Sequence, residues 1–375
     1  MDKVKVVLSI QVLNSLINGV LGVILPLMMK ERNIDVVTIG FVFASVPMIF
    51  QLGRMFFATV SDFFGRKIFF ILNGFLNVVS SLIYYLAHTA LEFLFGKVME
   101  STKDASLWSV NRAFLLEKSV KKWRALVHLR TVAYISSAAG CLIAGFLVAW
   151  LLYEGTLILC AVIGAFIVPL SLFLVSRRKK DVSVKEALRV LDFRKKKKVF
   201  KTFLALFFVM GLSFGFVSGY VFPLFLSDNG FGAETVGMLL GVQILLAGLV
   251  SYAFAGRFKI QKLVLVSGLL YTFTLFVTGF SRSILAGVFI VAYGLVEGLL
   301  GIGQEGILSR IANKESYGTD IGLLWMGHHI GRTFSLAASG ILIKMWGFTA
   351  PFLLSAFVFC FFYVISYFTL NEGHW

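Results

Sequence analysis

Long apolar segments follow one another along the whole chain, with short polar segments between them. A helix needs about 20 mostly apolar residues to cross a lipid bilayer. Twelve segments of roughly that length lie at 5–29, 37–60, 67–88, 90–112, 125–150, 155–176, 202–226, 235–255, 263–281, 284–307, 320–344 and 348–370. The pattern therefore predicts an all-α integral membrane protein with twelve transmembrane helices.

The longest polar segment, 177–201, divides the twelve predicted helices into two groups of six. We therefore expect an N-terminal six-helix bundle (1–176), a cytoplasmic linker (177–201) and a C-terminal six-helix bundle (202–375). Within the linker, residues 183–193 place their apolar side chains on one helical face. This spacing predicts a short amphipathic helix that lies on the membrane surface.

The two halves carry identical residues at matching places in the helix count. The pairs are Gly22 and Gly219, Pro26 and Pro223, Thr38 and Thr235, Gly40 and Gly237, Ala58 and Ala255, Glu100 and Glu297, Arg112 and Arg310, and Gly140 and Gly340. Such a series indicates a parallel repeat of two six-helix units. In transporters built from internal repeats, the substrate site lies near the middle of the membrane between the units.

The composition agrees with a membrane protein: 58% of the residues are hydrophobic and 14% are charged. The net charge of +16 would first suggest a nucleic-acid-binding protein, but so apolar a chain offers little soluble surface. Most Lys and Arg residues instead fall in the loops on one side of the predicted membrane. The opposite loops contain Lys30, Arg32, Arg282 and Lys344. Because cytoplasmic loops carry an excess of positive charge, we expect a multi-pass cell-membrane protein with cytoplasmic termini.

Several classes of protein are disfavoured by what the sequence lacks. Cys141, Cys160 and Cys360 lie in apolar segments without a CxxC spacing, which argues against a disulfide framework and a cysteine zinc site. The N-terminal segment has no small-residue cleavage site, so we expect a retained first helix. A phosphate-binding loop and a clustered nucleophile are also missing. We therefore expect neither catalytic residues, nor a metal, nor a cofactor.

A motif follows the second predicted helix and reads Ala58-Thr-Val-Ser-Asp62-Phe-Phe-Gly65-Arg66-Lys67. It resembles the signature loop of the major facilitator superfamily of secondary transporters, and the resemblance extends over essentially the whole chain. Asp62, Gly65, Arg66 and Lys67 match, whereas Ala58 replaces the first glycine of the motif and Phe63 a basic residue. The resemblance implies two six-helix bundles related by a pseudo-twofold axis.

The resemblance also implies a conformational latch at the cytoplasmic face. Asp62 would face the N-terminus of the eleventh helix, which carries partial positive charge, and would hold the two halves together while that side is closed. Gly65 would permit a tight turn, and Arg66 would neutralise Asp62 or contact lipid phosphates. From their positions near the cytoplasmic ends of their helices, Arg112 and Glu305 are also expected to belong to gate or latch pairs.

Two further comparisons with the superfamily give weaker matches. Lys97 stands where its second motif has a basic residue, but Ser101 replaces the glycine four positions later. The segment from Gly140 to Gly145 lacks the prolines that drug antiporters often carry there. The missing prolines count against a drug antiporter, which we keep as an alternative.

Ionisable side chains inside a membrane are costly and indicate a functional site. The predicted helices contain Arg54, Lys97, Glu100, Lys103, Asp104, Arg112, Arg130, Glu297, Glu305 and Arg332, together with His328 and His329. Six bases against four acids leave a surplus of positive charge, which favours an anionic solute. A buried carboxyl group takes up a proton more readily than one in water, so the acids are candidates for proton coupling.

Helical spacing places these residues on polar faces. The faces are Gln11, Asn14 and Asn18 on the first helix, Lys97, Glu100 and Asp104 on the fourth, Glu297, Gly301 and Gln304 on the tenth, and His328, Arg332, Ser335 and Ser339 on the eleventh. Our hypothesis is that Glu297 with His328 and Arg332, or Glu100 with Arg130, forms the coupling site.

Four simpler interpretations stay open. Lys97 with Glu100, and Lys103 with Asp104, have spacings at which they could neutralise each other. Arg54 could contact substrate or form a structural ion pair, and His329 could be a packing residue with its polar atoms satisfied.

The leading hypothesis is a secondary transporter that moves a small polar, preferentially anionic solute by alternating access, coupled to protons. A multidrug/proton antiporter is the alternative, and a non-transporting membrane sensor or an integral membrane enzyme is weaker. The expected partners are the solute, the proton and membrane lipid, without nucleic acid, and the protein is expected to be a monomer.

Overall fold

The computed structural model describes residues 3–118, 122–174, 196–312 and 317–371, and throughout these residues the regular structure is α-helical. The helices are α1 (Lys3–Glu31), α2 (Val36–Phe64), α3 (Lys67–Leu86), α4 (Ala90–Lys118), α5 (Lys122–Leu172), α6 (Lys198–Val217), α7 (Val221–Asp228), α8 (Ala233–Phe254), α9 (Ile260–Phe280), α10 (Ser283–Ile311), α11 (Tyr317–Trp346) and α12 (Thr349–Asn371). The all-α prediction is confirmed.

Helix α5 contains two predicted membrane crossings. Its regular conformation is interrupted at Leu152, where φ is 59° and ψ is 179°. A positive φ is uncommon for a residue with a side chain. The two limbs on either side of Leu152 correspond to the predicted helices 125–150 and 155–176, so the sequence placed this boundary correctly.

The seventh crossing, predicted as one helix over 202–226, is broken into α6 and α7, and that prediction is wrong in this respect. Gly219 has a φ of +68°, a left-handed conformation that glycine adopts without the steric cost of a side chain. Its repeat counterpart Gly22 lies within the continuous helix α1. A count of apolar residues does not detect such a break because the flanking residues are apolar on both sides.

A serine of the facing helix lies near the carbonyl groups at this break, although its single hydroxyl proton has a shorter acceptor, the carbonyl oxygen of Ser335 in its own helix at 2.7 Å. The hydroxyl of Ser339 in α11 lies 3.3 Å from the carbonyl oxygen of Phe216 and 3.5 Å from that of Gly215. An unpaired buried carbonyl would be costly in a membrane. The polar face that the sequence assigns to the eleventh helix therefore lies beside the broken helix.

Nine helical segments of the described chain are long and apolar enough to cross a membrane. The two limbs of α5 count among them as one segment, and so do α6 with α7. Charged residues and histidines interrupt the apolar runs of the remaining long helices, α4 and α11. Since α4 and α11 pack among the other helices, they complete the twelve crossings.

Within each half, the helices pack against one another in a few extensive pairs. In the first half α1 and α3 pack against α5, and α4 packs against α2 and α3; in the second half α6 packs against α11 and α12, and α10 against α8 and α9. The halves meet where α2 packs on α11 and α5 on α8. The repeat relates these two contacts, because α8 corresponds to α2 and α11 to the first limb of α5.

Glycines allow the backbones to touch where the halves cross, on the side opposite the termini. A Cβ atom added to Gly40 would lie 3.1 Å from the carbonyl oxygen of Leu336 and 3.3 Å from the Cα of Gly340. One added to Gly237 would lie 2.5 Å from the carbonyl oxygen of Cys141. Small residues permit such close helix crossings in membranes. Gly40 and Gly237 occupy matching positions in the two halves, so both helix crossings depend on a glycine at the same place in the repeat.

The predicted division into 1–176, 177–201 and 202–375 fits this packing and stays a prediction. Most of the linker, including the amphipathic helix predicted over 183–193, lies outside the described residues.

Candidate functional site

A polar network joins α1 and α4 in the middle of the first half. The Nζ atom of Lys103 lies 3.1 Å from Oδ1 of Asp104, 2.5 Å from Oδ1 of Asn18 and 3.3 Å from Oδ1 of Asn14. The amide groups of Asn14 and Asn18 both donate to Oδ1 of Asp104 at 3.0 Å. The structure thus brings together three of the predicted site residues and includes the ion pair between Lys103 and Asp104.

Two asparagines of α3 complete this network, and the sequence analysis missed both. The Nδ2 atoms of Asn73 and Asn77 lie 3.0 and 3.1 Å from Oδ1 of Asn14. Asn73 also donates to the backbone carbonyl of Lys103 at 3.0 Å. The signal that could have found them is their spacing of four residues, which puts two buried amides on one face of an otherwise apolar helix.

A second cluster lies nearer the end of α4 that is opposite the termini. The Nζ atom of Lys97 is 2.9 Å from Oε2 of Glu100, and the hydroxyl of Tyr84 donates to the same oxygen at 2.5 Å. The ammonium group also lies 4.4 Å from the ring centre of Phe43, a cation–π contact. The hypothesised pairing of Glu100 with Arg130 is therefore wrong.

Arg130 instead joins the two halves. Its Nη1 atom lies 2.8 Å from Oε1 of Glu305 in α10. Glu305 thus belongs to a pair between the halves, with Arg130 as its partner, and Arg112 is within electrostatic range of Glu305. The guanidinium of Arg112 instead lies 5.2 Å from the ring centre of Trp108. Helical spacing alone did not show which neighbouring helix supplies each partner.

Glu297 lies in the middle of the second half, and its carboxylate is hydrogen-bonded to an uncharged side chain. Its Oε2 atom accepts a hydrogen bond from Nε2 of Gln243 at 2.5 Å. Arg332 is within electrostatic range of Glu297, but its Nε atom donates to the hydroxyl of Ser218 at the helix break, at 3.2 Å. Among the described residues, neither His328 nor Arg332 of the hypothesised group forms an ion pair or hydrogen bond with Glu297, so that grouping stays a prediction.

The two histidines of α11 lie among aromatic rings. The ring centre of His328 is 5.0 Å from that of Trp325 and 5.8 Å from that of Phe214. His329 lies 5.5 Å from Phe50 of the first half. The Nδ1 atoms of both histidines are buried without a hydrogen-bond partner among the described residues. His329 therefore packs as expected, but its polar atoms are not all satisfied.

The remaining candidates fall at the edges of these clusters. Gln304 donates to the sulfur of Met210 at 3.4 Å, which places it between α10 and α6 rather than beside Glu297. Arg54 is within electrostatic range of Arg112 and of His329, and it forms no ion pair with a carboxylate whose position is described. The structure therefore does not support a structural ion pair for Arg54 within those residues.

The predicted latch can be tested only in part. Gly65 ends α2 with a φ of 81°, and its N–H donates to the carbonyl of Ser61 at 3.0 Å, so the turn does use the freedom of a glycine. The side chain of Asp62 lies outside the described part of the chain. The roles of Asp62 and Arg66 stay predictions.

Three ion pairs account for most of the interior charge. They are Lys97 with Glu100, Lys103 with Asp104, and Arg130 with Glu305. The charged residues of the predicted interior that are left are Arg54, Arg112, Arg332 and Glu297. The positive surplus is therefore localised on α2, α4 and α11, where the two halves face each other.

Comparisons with known proteins agree with this geometry. Residues 7–324 match the sequence profile of the Major Facilitator Superfamily. The Uncharacterized MFS-type transporter YuxJ of Bacillus subtilis (strain 168) is 31% identical over 164 residues, which cover 42% of this chain and 41% of that protein. Multidrug resistance protein 2 of the same strain is 26% identical over 367 residues, which cover 90% of this chain and 88% of that protein.

Solved transporters share the fold at low sequence identity. The nucleoside transporter NupG superimposes with a TM-score of 0.80 at 13% identity, over 99% of this chain and 100% of that one. The human organic anion transporter MFSD10 gives a TM-score of 0.70 at 15% identity, over 96% of this chain and 98% of that one. At such identities the likeness concerns the fold alone.

Proposed function

The chain belongs to the major facilitator superfamily, and we propose that it is a proton-coupled secondary transporter that moves a small polar anion by alternating access. The observation that carries the proposal is the positive surplus between the halves. Four charged residues of the described interior form no ion pair. Three of them are bases, Arg54, Arg112 and Arg332, and one is an acid, Glu297. We place the protein in the cell membrane with both termini in the cytoplasm, because the basic loops lie on that side.

An anionic solute would relieve repulsion between these guanidinium groups. Arg54 and Arg112 are close enough to interact unfavourably, and a guanidinium group binds carboxylate or phosphate oxygens with two parallel hydrogen bonds. The side chain of Arg54 is partly exposed and that of Arg112 is exposed, so both can be reached. Arg332 lies deeper, next to the break between α6 and α7. This order supports entry of the anion past Arg54 and Arg112 toward Arg332.

Glu297 is the better candidate for carrying the proton. Protonation of Glu100 would leave the buried ammonium of Lys97 without its counter-ion, which is costly. Glu297 accepts from the neutral amide of Gln243, so its charge can change without stranding a directly bound cation. Glu297 interacts electrostatically with Arg332 and Arg130, so its protonation would change the electrostatic potential at the proposed anion site.

The test is uptake by purified protein in liposomes with an imposed pH gradient. We expect Glu297→Gln to abolish the acceleration by the gradient while exchange of solute at equal pH continues. The control is Glu100→Gln together with Lys97→Gln at the related position in the first half, because Glu100→Gln alone would leave the ammonium of Lys97 without its counter-ion. Uptake that still responds to the gradient in Glu297→Gln would show that this residue does not carry the proton.

A multidrug/proton antiporter is the second candidate, favoured by the similarity to Multidrug resistance protein 2 over most of the chain. The aromatic rings of Phe50, Phe214 and Trp325 around the histidines would suit a lipophilic solute. Thermal unfolding in the presence of metabolite anions, sugars, amino acids and lipophilic cations separates the two. Stabilisation by lipophilic cations alone would select the antiporter and reject the anion transporter.

A further inference from the structure

The ammonium group of Lys103 is enclosed by oxygen atoms. The residue has no exposed surface, and its Nζ atom lies near Oδ1 of Asn14, Asn18 and Asp104, at 3.3, 2.5 and 3.1 Å. An ammonium group has three N–H donors, so each donor has one of these oxygens. The three oxygens come from two helices, α1 and α4.

The oxygens are oriented by N–H groups of asparagine side chains. Asn73 and Asn77 donate to Oδ1 of Asn14, which fixes that amide with its oxygen toward Lys103. The Nδ2 atom of Asn18 donates to both carboxylate oxygens of Asp104, at 3.0 and 3.1 Å. The arrangement would therefore persist as an oxygen-lined site with one negative charge if the ammonium were removed. Carboxylate and amide oxygens are the ligands that hard cations prefer.

We propose that this cluster is a binding site for a monovalent cation and that the ammonium of Lys103 is its permanent occupant. Sodium or potassium consequently has no room in this cluster of the native protein, because the side chain of Lys103 fills it. The cluster consists only of Lys103 and its ligands, so its role is the same whether the transported solute is a polar anion or a lipophilic compound.

The other buried lysine of α4 has a different environment and serves as the control. The Nζ atom of Lys97 contacts one carboxylate oxygen, of Glu100, and otherwise faces the rings of Phe43 and Tyr84. Its removal leaves one oxygen and two aromatic rings, which do not form an oxygen-lined site. A small cation should therefore replace the ammonium of Lys103 and not that of Lys97.

The experiment is thermal unfolding of detergent-purified protein in choline, ammonium or sodium chloride at equal ionic strength. Choline is too large for a site that holds one ammonium group. We expect Lys103→Ala to be stabilised by ammonium or sodium over choline, saturably and by at least about 3 °C. The native protein and Lys97→Ala should unfold at the same temperature in all three salts. Lys103→Ala/Asp104→Asn should lose the effect, because the site then carries no charge.

Two results would overturn the proposal: a saturable effect of sodium on the native protein, or the absence of any salt effect on Lys103→Ala. If Lys103→Ala does not survive extraction in choline, parallel extraction in ammonium decides the question. Recovery of folded protein in ammonium alone supports the site, and failure in both salts rejects it. None of these measurements involves the transported solute or the proton, so failure here is distinguishable from failure of the proposed function.

Discussion

At the residue scale, identical side chains at repeat-related positions have different surroundings. Glu100 accepts from the ammonium of Lys97, whereas Glu297 accepts from the neutral amide of Gln243. A carboxylate bound to a buried cation is held in its charged form more firmly than one bound to an amide. Sequence identity between the halves therefore does not imply an identical role, and we assign the proton to Glu297.

Asp35 provides a residue-scale prediction outside the membrane-spanning segments. Its side chain accepts from the hydroxyl of Thr38 and from the N–H groups of Val37 and Thr38 at the start of α2. The hydrogen bond from the Thr38 hydroxyl, followed by those from the backbone, holds the pKa of Asp35 below 3.8. A carboxylate with a lowered pKa stabilises the fold above its unfolded pKa, and the contribution is lost as the pH falls through the folded value.

We therefore expect Asp35→Ala to destabilise the protein by about 1 kcal/mol at pH 7, with the difference from the native protein shrinking below about pH 4 and vanishing once the pH is below the lowered pKa of Asp35. Thermal unfolding across this pH range measures it. Asp35→Asn should keep most of the stability at pH 7, because asparagine also caps helices well. Equal losses for the alanine and asparagine variants would contradict this role of the side chain.

The sequence predicted part of the candidate site at this scale. It placed Asn14, Asn18 and Asp104 on facing polar surfaces, because the direction of a side chain around a helix follows from its position. It missed Asn73 and Asn77, since uncharged amides hardly interrupt an apolar segment. It also could not assign partners between helices, which depend on how the helices pack.

At the element scale, the break between α6 and α7 is the main departure from a regular set of helices. Gly219 turns the chain there, and the hydroxyl of Ser218 then accepts from the guanidinium of Arg332. The boundary within α5 was predictable because Glu154, Gly155 and Thr156 interrupt the apolar sequence directly after it. The break was not, since only the backbone conformation of one glycine distinguishes it from the continuous helix around Gly22.

A pair of alanine substitutions tests this difference. Gly219→Ala should destabilise the protein by about 1 to 2 kcal/mol, because its left-handed conformation brings a Cβ too close to the backbone. Gly22→Ala is the matched control, since it lies in a regular helix with open space around the added Cβ. We expect the control to be neutral or stabilising by up to about 1 kcal/mol. If Gly219→Ala unfolds at a higher temperature than Gly22→Ala, the break between α6 and α7 is contradicted.

At the scale of the whole molecule, the two halves make different contacts on the two sides of the membrane. Backbones touch at Gly40 and Gly237 on the side opposite the termini. Toward the termini, Arg130 and Glu305 connect the halves through an ion pair whose side chains are 32% and 40% exposed. Such partly exposed pairs contribute little stability, which suits a contact that must break and form again in each transport cycle.

Exchange of these two charges gives a prediction at this scale. Arg130→Glu and Glu305→Arg alone should each slow transport, because like charges would then face each other across the halves. The double variant should recover most of the rate, with changes in stability below about 1 kcal/mol. Arg32 and Glu154, 3.2 Å apart within the first half, form the control pair, whose exchange should leave the rate unchanged. A double variant as slow as the single ones would reject the ion pair as an element of the cycle.

The most direct test of the account is a measurement of proton movement caused by the solute. Purified protein is reconstituted into liposomes that contain a pH-sensitive dye, and metabolite anions are added outside at equal pH. The account predicts that at least one anion changes the internal pH, and that Glu297→Gln abolishes the change while solute exchange continues. If anions cross the membrane without any change of internal pH, the proposed coupling to protons is contradicted.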